Sequence, residues 1–234
     1  MEVKVKAYAK INLMLDIICT RPDGYHDLFM IMQSIGLYDT VTVTETNSKK
    51  ITITCNIEDI PLDEKNIAYK AADAFFKTTK IKNKGVNIDI VKRIPHQAGL
   101  AGGSADGAGT LVALNELLNA DLSDDELCNI GVKIGADVPF CIKGGTLLAQ
   151  GIGDVLNKVK PLRQCFIVIA KPDCGVNTGR LMRSLTQSAS AIHLINSVCF
   201  VQCKIGNFAK YVLKWKMFLS SLLKCRIRWI LRKL

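Results

Sequence analysis

The chain begins with a strict alternation: Val3, Val5 and Ala7 fall on one side and Lys4 and Lys6 on the other, which predicts a half-buried strand over Glu2–Ala9. After Lys10 the alternation resumes as Ile11, Leu13, Leu15 and Ile17, a second strand or a continuation of the first, with Lys10 and Asn12 on the opposite face. Val41–Glu45, Ile51–Cys55 and Val86–Val91 repeat the two-residue period. The period turns helical over Asn66–Lys77, where Ile67, Ala71, Ala74 and Phe75 form an apolar face, and again where Leu111, Leu114 and Leu118 share one side. Ser123-Asp124-Asp125-Glu126 is a capping box opening a helix that runs to about Ile134 and is closed by Gly135. Thr146–Gln150 and Cys165–Ala170 predict further strands, the second fully buried. Strands come in runs before the first helix, so the expected fold class is α+β rather than a doubly wound sheet.

The breaks in the pattern carry the chemistry. Pro95-His96-Gln97-Ala98-Gly99-Leu100-Ala101-Gly102-Gly103-Ser104-Ala105 joins the Val86–Val91 strand to the next helix. A glycine-rich turn opening a helix leaves backbone N–H groups unpaired at the positive end of the helix dipole. Ser104 is expected to cap that helix and to offer its hydroxyl to a phosphate or metal. Read alone, the stretch fits either an anion cradle for nucleotide phosphates or a plain strand-to-helix turn. It is neither a Walker A loop, since no Lys follows the glycines, nor a dinucleotide fingerprint.

Asp137, in Gly135-Ala136-Asp137-Val138-Pro139-Phe140, has no local charge partner and is either a turn residue or a working acid/base. Arg21-Pro22-Asp23-Gly24-Tyr25-His26-Asp27 and Gly151-Ile152-Gly153-Asp154 are turns. Tyr25 and His26 are rings fit to stack on a base, or ordinary turn residues.

Composition changes this picture only at the end of the chain. With 49% apolar and 22% charged residues, the 234 residues are expected to be globular. Nine scattered cysteines without a C-x-x-C pair, behind an N-terminus that leads straight into a strand, are read as reduced thiols of a cytoplasmic protein. The net charge of +10 is unevenly placed: all 21 Asp and Glu lie at or before Asp173, whereas 11 of the 31 Lys and Arg follow it. Three readings compete for that segment. It is a basic amphipathic tail built on Trp215, Phe218, Leu222 and Leu223, an unusual subdomain, or sequence translated out of frame. Ser184–Cys203 lacks charge but is too rich in Ser, Gln and Asn to span a membrane.

Taken in order, Ala9-Lys10-Ile11-Asn12-Leu13, the Asp-Gly-Tyr-His turn, the Pro95–Ala105 loop, the Gly-Ala-Asp-Val-Pro block, Gly151-Ile152-Gly153 and Val176-Asn177-Thr178 resemble the GHMP kinase superfamily. The likeness covers about residues 3–182. The turn and the Gly-Ala-Asp-Val-Pro block point to the branch that acts on a cytidine diphosphate-linked methylerythritol in non-mevalonate isoprenoid synthesis. The resemblance implies a two-domain α+β fold. Residues 1–160 would form a ribosomal S5 domain 2-like ATP-binding and catalytic domain, and 161–234 an incomplete or aberrant second domain. It implies ATP held by Pro95–Ala105, with Mg2+ neutralising phosphate charge and no metal-ligating residue assigned. It also implies Asp137 as catalytic base with Lys10 beside it, Tyr25 and His26 on the cytosine, and Asn12 and Thr178 along the substrate.

The partners so implied are small molecules, with neither nucleic acid nor stable membrane insertion. The chain departs from the family at Ala101, usually Gly, at Ala105, usually Ser, and after Thr178, where a late Ser/Gly-rich loop is missing. That last departure coincides with the loss of acids and favours the out-of-frame reading, with loose helices after about Met182 and weak turnover. The alternatives are another small-molecule specificity within the superfamily, such as mevalonate or homoserine, and an RNA-binding S5-like protein.

Overall fold

A computed structural model describes residues 1–24 and 26–172, together with the backbone of Cys199–Gln202 and Ile227–Lys233. The framework is a long antiparallel hairpin of β1 (Glu2–Thr20) and β2 (His26–Glu45), turned at Gly24, whose N–H bonds the Arg21 carbonyl at 3.0 Å. β1 occupies one edge of β2 along most of its length. The other edge is divided: Met30–Gln33 pairs with β5 (Thr146–Gln150), and Thr40–Glu45 pairs with β4 (Val86–Val91). β3 (Ile51–Cys55) runs parallel to β4, and β6 (Val155–Lys158) runs antiparallel to β5. Mixed strand and helix content with separate runs of each makes the fold α+β, as the sequence pattern predicts.

The alternation along β1 does not survive intact. Leu13 is exposed although Ile11 and Leu15 are buried, because the register shifts between Asn12 and Met14 and turns side chains to the other face. Most of β2 was not foreseen: Leu28–Met32 is a continuous apolar run without the two-residue signature, and only Val41–Glu45 alternates.

Three helices follow from the sequence with adjustments, and a fourth was not expected. α1 (Ile67–Thr79) starts at Asn66, whose side chain accepts the Ala68 N–H, and buries Ala68, Ala71, Ala72 and Phe75, a face rotated slightly from the expected one. α2 (Gly102–Leu117) lies against the sheet over Ala7, Ala9, Val41 and Val43, burying Leu111 and Leu114. Burial of each such side chain stabilises by about 1.5–3 kcal/mol, which offsets the poor helix propensity of its glycines. Gly107 is required by close approach, since a Cβ there would sit 2.7 Å from Ile67 Cγ2 of α1. α3 (Asp124–Gly131) opens with the predicted Ser123/Glu126 capping box but ends at Gly131 rather than Ile134. The following turns bring Val138 against Gly131 and lead into α4 (Val138–Lys143), a short helix that the sequence reading left as loop.

β7 (Phe166–Pro172) buries Ile167, Val168 and Ile169 and is flanked on both edges by backbone from the basic segment, β8 (Cys199–Gln202) and β9 (Ile227–Lys233). Where the chain after 182 is described it is therefore strand, not the helix expected, because an apolar strand with two open edges recruits alternating sequence such as Ile227, Trp229 and Leu231. Thr178, Trp215, Phe218, Leu222 and Leu223 lie outside the described residues, as does Tyr25.

Candidate active site

β4 ends opposite Thr40, where the second edge of β2 becomes free, and the chain leaves the sheet there to form the loop before α2. That loop alternates in a specific way. Ala98 and Leu100 are buried in the core, while Gln97, Gly99 and Ala101 have φ of 52°, 71° and 57°. Left-handed residues alternating with right-handed or extended ones turn successive N–H groups to one side, the concave arrangement that receives anions. The Leu100 carbonyl accepts the Lys10 N–H at 3.1 Å, which fixes the middle of the loop against β1.

The helix begins differently from expectation. Ala101, not Ser104, stands at the N-cap, and no side chain caps the helix; Ser104 lies inside the first turn. The first helical bond runs from the Ala105 N–H to the Ala101 carbonyl at 2.8 Å, so the N–H groups of Gly102, Gly103 and Ser104 precede it. A left-handed Ala101 lets the helix start three residues early, so the unpaired donors at its start are backbone N–H groups. Ala105 is fully buried in the core and does not line the cleft.

A cleft of about 640 Å³ gathers the loop from Pro95 to Ser104 with Lys10, Asn12 and Asp137. Lys10 is 5% exposed, donates to Asn12 Oδ1 at 3.1 Å, and lies 3.4 Å from Asp137 Oδ2. Asp137, at the N-cap of α4, keeps a third of its side chain open. The partner that Asp137 lacks locally is thus supplied by β1. Leu15, Leu28 and Met30 extend the same cleft along the hairpin. His26 stands further along β2 on the same face as Leu28 and Met30, its Nδ1 3.2 Å from Thr20 Oγ1, and is not among the cleft-lining residues.

Sequence reasoning missed two parts of the site. One is the wall formed by Ile60, Pro61, Lys65, Asn66 and Ile67, which precedes and opens α1. The other is a buried ionic cluster under the loop. Lys92 Nζ donates to Asp39 Oδ2 at 2.5 Å and to Asp106 Oδ2 at 2.7 Å, and Asp39 Oδ1 accepts the N–H groups of Arg93 and Ile94 at 2.5 and 2.8 Å. Burial pushes the Asp106 carboxyl up to about 7; Lys92 pulls it down and Asp39 pushes it further up. The local signal was slight: Asp106 is an acid amid Gly and Ala at a helix start, and Lys92 follows the alternating strand β4.

Residues 66–145 match the GHMP kinases N terminal domain. The chain is 53% identical over 180 residues to the 4-diphosphocytidyl-2-C-methyl-D-erythritol kinase of Clostridium novyi, covering 77% of this chain and 64% of that protein. It is 48% identical over 191 residues to the enzyme of that name from Clostridium beijerinckii, covering 82% and 68%. The chain belongs to the 4-diphosphocytidyl-2-C-methyl-D-erythritol kinase family. It spans about two thirds of the length of these family members. Among solved structures, a crystal structure of 4-(cytidine 5'-diphospho)-2C-methyl-D-erythritol kinase superposes with a TM-score of 0.64 at 33% identity, over 77% of this chain and 63% of that one. The Methanococcus jannaschii mevalonate kinase, 18% identical with a TM-score of 0.63, shares the fold.

Proposed function

We propose that this chain is an ATP-dependent kinase that phosphorylates the 2-hydroxyl of 4-diphosphocytidyl-2-C-methyl-D-erythritol, releasing ADP, in non-mevalonate isoprenoid synthesis. The observation that carries the reading is the 3.4 Å approach of Lys10 and Asp137, 127 positions apart in the sequence, at a cleft whose other side is a backbone anion cradle. The nucleotide phosphates lie in the Gln97–Ser104 cradle, with the γ-phosphate toward Asp137. Asp137 takes the hydroxyl proton as the oxygen forms its bond to the γ-phosphorus and the bond to the β-phosphate bridging oxygen breaks. Lys10, held by Asn12, offsets negative charge on Asp137 and on the attacking oxygen, so acceleration comes from positioning and electrostatics.

Magnesium fits this donor set. A hard cation carried by phosphates needs only one or two protein oxygens, and the Ser104 hydroxyl in the cleft lining would supply one. Among the described residues no group of three His, Cys, Asp or Glu converges as a separate metal cage. Bound there, the ion supplies charge neutralisation to the phosphates.

The apolar extension through Leu15, Leu28 and Met30 leads toward His26, which with Tyr25 is assigned to the cytosine, and Asn12 and Thr178 are assigned to the methylerythritol. Residues 1–160 are assigned to the ATP-binding and catalytic domain and 161–234 to a second domain. The test is ADP release from the 234-residue chain with ATP, Mg2+ and the cytidyl substrate, alongside Asp137→Asn. Substrate-dependent release that Asp137→Asn abolishes supports the reading, and near-normal release by the variant removes Asp137 from the mechanism.

A further inference from the structure

The ionic cluster under the phosphate loop adds a charged link between three elements at the two ends of the loop, beside the β2–β4 pairing and the packing of α2 on the sheet. Asp39 belongs to β2, Lys92 follows β4, and Asp106 lies in α2, so one ammonium group spans three elements. Lys92 is 7% exposed and Asp39 fully buried. The incoming end of the loop is fixed by the two N–H groups that Asp39 Oδ1 accepts from Arg93 and Ile94. The outgoing end packs directly on the incoming one: a Cβ at Gly102 would lie 3.1 Å from Ile94 Cγ2 and 3.2 Å from Lys92 Nζ. The segment from Ile94 to Gly102 is therefore a closed ring with Lys92 and its two carboxylates at the knot.

Apolar packing alone would serve stability at that position at less cost, because Asp106 Oδ1 is buried without a hydrogen-bond partner. What an ammonium adds is a charged bridge. Enclosed between two carboxylates, it donates to Asp39 and Asp106 at once, and these two charge-assisted contacts set the separation of the two loop ends. The backbone cradle depends on that separation, since three left-handed residues must stay aligned for their N–H groups to converge.

We propose that Lys92 is a positioning residue: by bridging Asp39 and Asp106 it clamps the two ends of the phosphate loop and holds the anion cradle in its binding shape before nucleotide arrives. The inference rests on the reading of the loop as the site of the ATP phosphates. It goes beyond that reading in assigning the shape of the cradle to a charged clamp at the base of the loop, of which Lys92 and Asp106 also line the cleft.

The test uses the full 234-residue chain and two variants. Lys92→Met with Asp106→Asn removes the clamp without stranding two unpaired carboxylates, since Asp39 keeps both backbone N–H partners. Asp106→Asn alone keeps an amide oxygen that still accepts from Lys92 and serves as the conservative control. Hydrogen exchange at the amides of residues 96–105, measured without nucleotide, should be at least ten-fold faster in the double variant, with the α3 amides unchanged. The Kd for Mg-ATP should rise at least ten-fold while the Kd for cytidine diphosphate stays within two-fold. The single variant should move either quantity less than three-fold. Unchanged loop exchange in the double variant overturns the clamp, as does a single variant as damaged as the double. If the unaltered chain binds no ATP, the kinase reading fails while the exchange measurement still decides the clamp.

Discussion

Lys10 and Lys92 both adjoin the same glycine loop, and each faces aspartate, yet their surroundings differ in one decisive respect. Asp137, opposite Lys10, keeps a third of its side chain open to the cleft, whereas Asp39 and Asp106, opposite Lys92, are almost completely enclosed. An open carboxylate can exchange a proton with a substrate; an enclosed one can only hold its neighbours in place. In the proposed reading the same pair of residue types serves chemistry on one side of the loop and architecture on the other, and burial is what distinguishes them.

The largest expected effect breaks the open site. Asp137→Asn keeps the shape and the hydrogen-bonding reach but removes the base, so kcat for the cytidyl substrate should fall about 10^3-fold, with the Kd for ATP little changed. Steady-state rates and a nucleotide titration on one preparation check this. A large loss of ATP affinity would instead place Asp137 in nucleotide binding.

The enclosed site should answer in stability. Lys92→Met leaves Asp39 and Asp106 buried beside each other without their common cation, and breaking a buried pair in this way costs about 3–5 kcal/mol. Lys10→Met leaves Asp137 partly solvated and should cost about 0–1 kcal/mol. Urea unfolding of both variants decides the matter. Equal losses would erase the distinction drawn between the two lysines.

How much of this was legible in the sequence differs between the two sites for a physical reason. The open site announces itself through punctuation: glycines in Gly99-Leu100-Ala101-Gly102-Gly103 and an unpartnered acid in Gly135-Ala136-Asp137 break the hydrophobic period. The enclosed site is made of residues that fit the local pattern. Asp39 sits in a long strand, Lys92 follows one, and Asp106 sits in a helix, so only the pairing of β2 with β4 at Thr40–Val91 shows that they meet. The strands Ile51–Cys55 and Val86–Val91 were legible because one face of each is buried and period two is unambiguous. β2 was not, because Leu28–Met32 is apolar on both faces although only Met30 and Met32 are buried, so its sequence shows no period. The early start of α2 was hidden because nothing in the sequence says that Ala101 is left-handed.

Acidity separates the sites further. The Asp106 carboxyl is raised from 3.8 to about 7, mainly by burial, so the folded protein holds a proton there that the unfolded chain has released. A group raised in the folded state contributes most below its unfolded value and loses that contribution as pH climbs through its folded value. The window here is about pH 4 to pH 7, and three units correspond to at most about 4 kcal/mol. Stability should therefore fall across that range, and Asp106→Asn, which cannot titrate, should flatten the decline. Urea midpoints at pH 5 and pH 8 for both proteins measure it. A variant that keeps the full slope would place the titrating group elsewhere.

The smallest effect concerns the loop that both sites share. Ala101 has φ of 57°, a conformation that costs a residue with a Cβ about 1–2 kcal/mol relative to its preferred regions. Glycine removes that strain but adds unfolded-state entropy, which takes back about 0.4–1 kcal/mol. Ala101→Gly should thus stabilise by about 0.5 kcal/mol and, with a methyl group gone from the edge of the cradle, tighten ATP binding two- to three-fold (about 0.4–0.6 kcal/mol). Ala98 provides the opposite control, because it is 3% exposed and not left-handed, so Ala98→Gly should only destabilise. Strain of this kind persists when the surroundings over-determine the backbone, and here the surroundings are the Lys92 clamp. In a background carrying Lys92→Met and Asp106→Asn the loop is free to relax, so Ala101→Gly should gain less than it does in the unaltered chain. A double-mutant cycle on urea midpoints reads that difference, and strict additivity would mean that the strain at Ala101 and the clamp beneath it are independent.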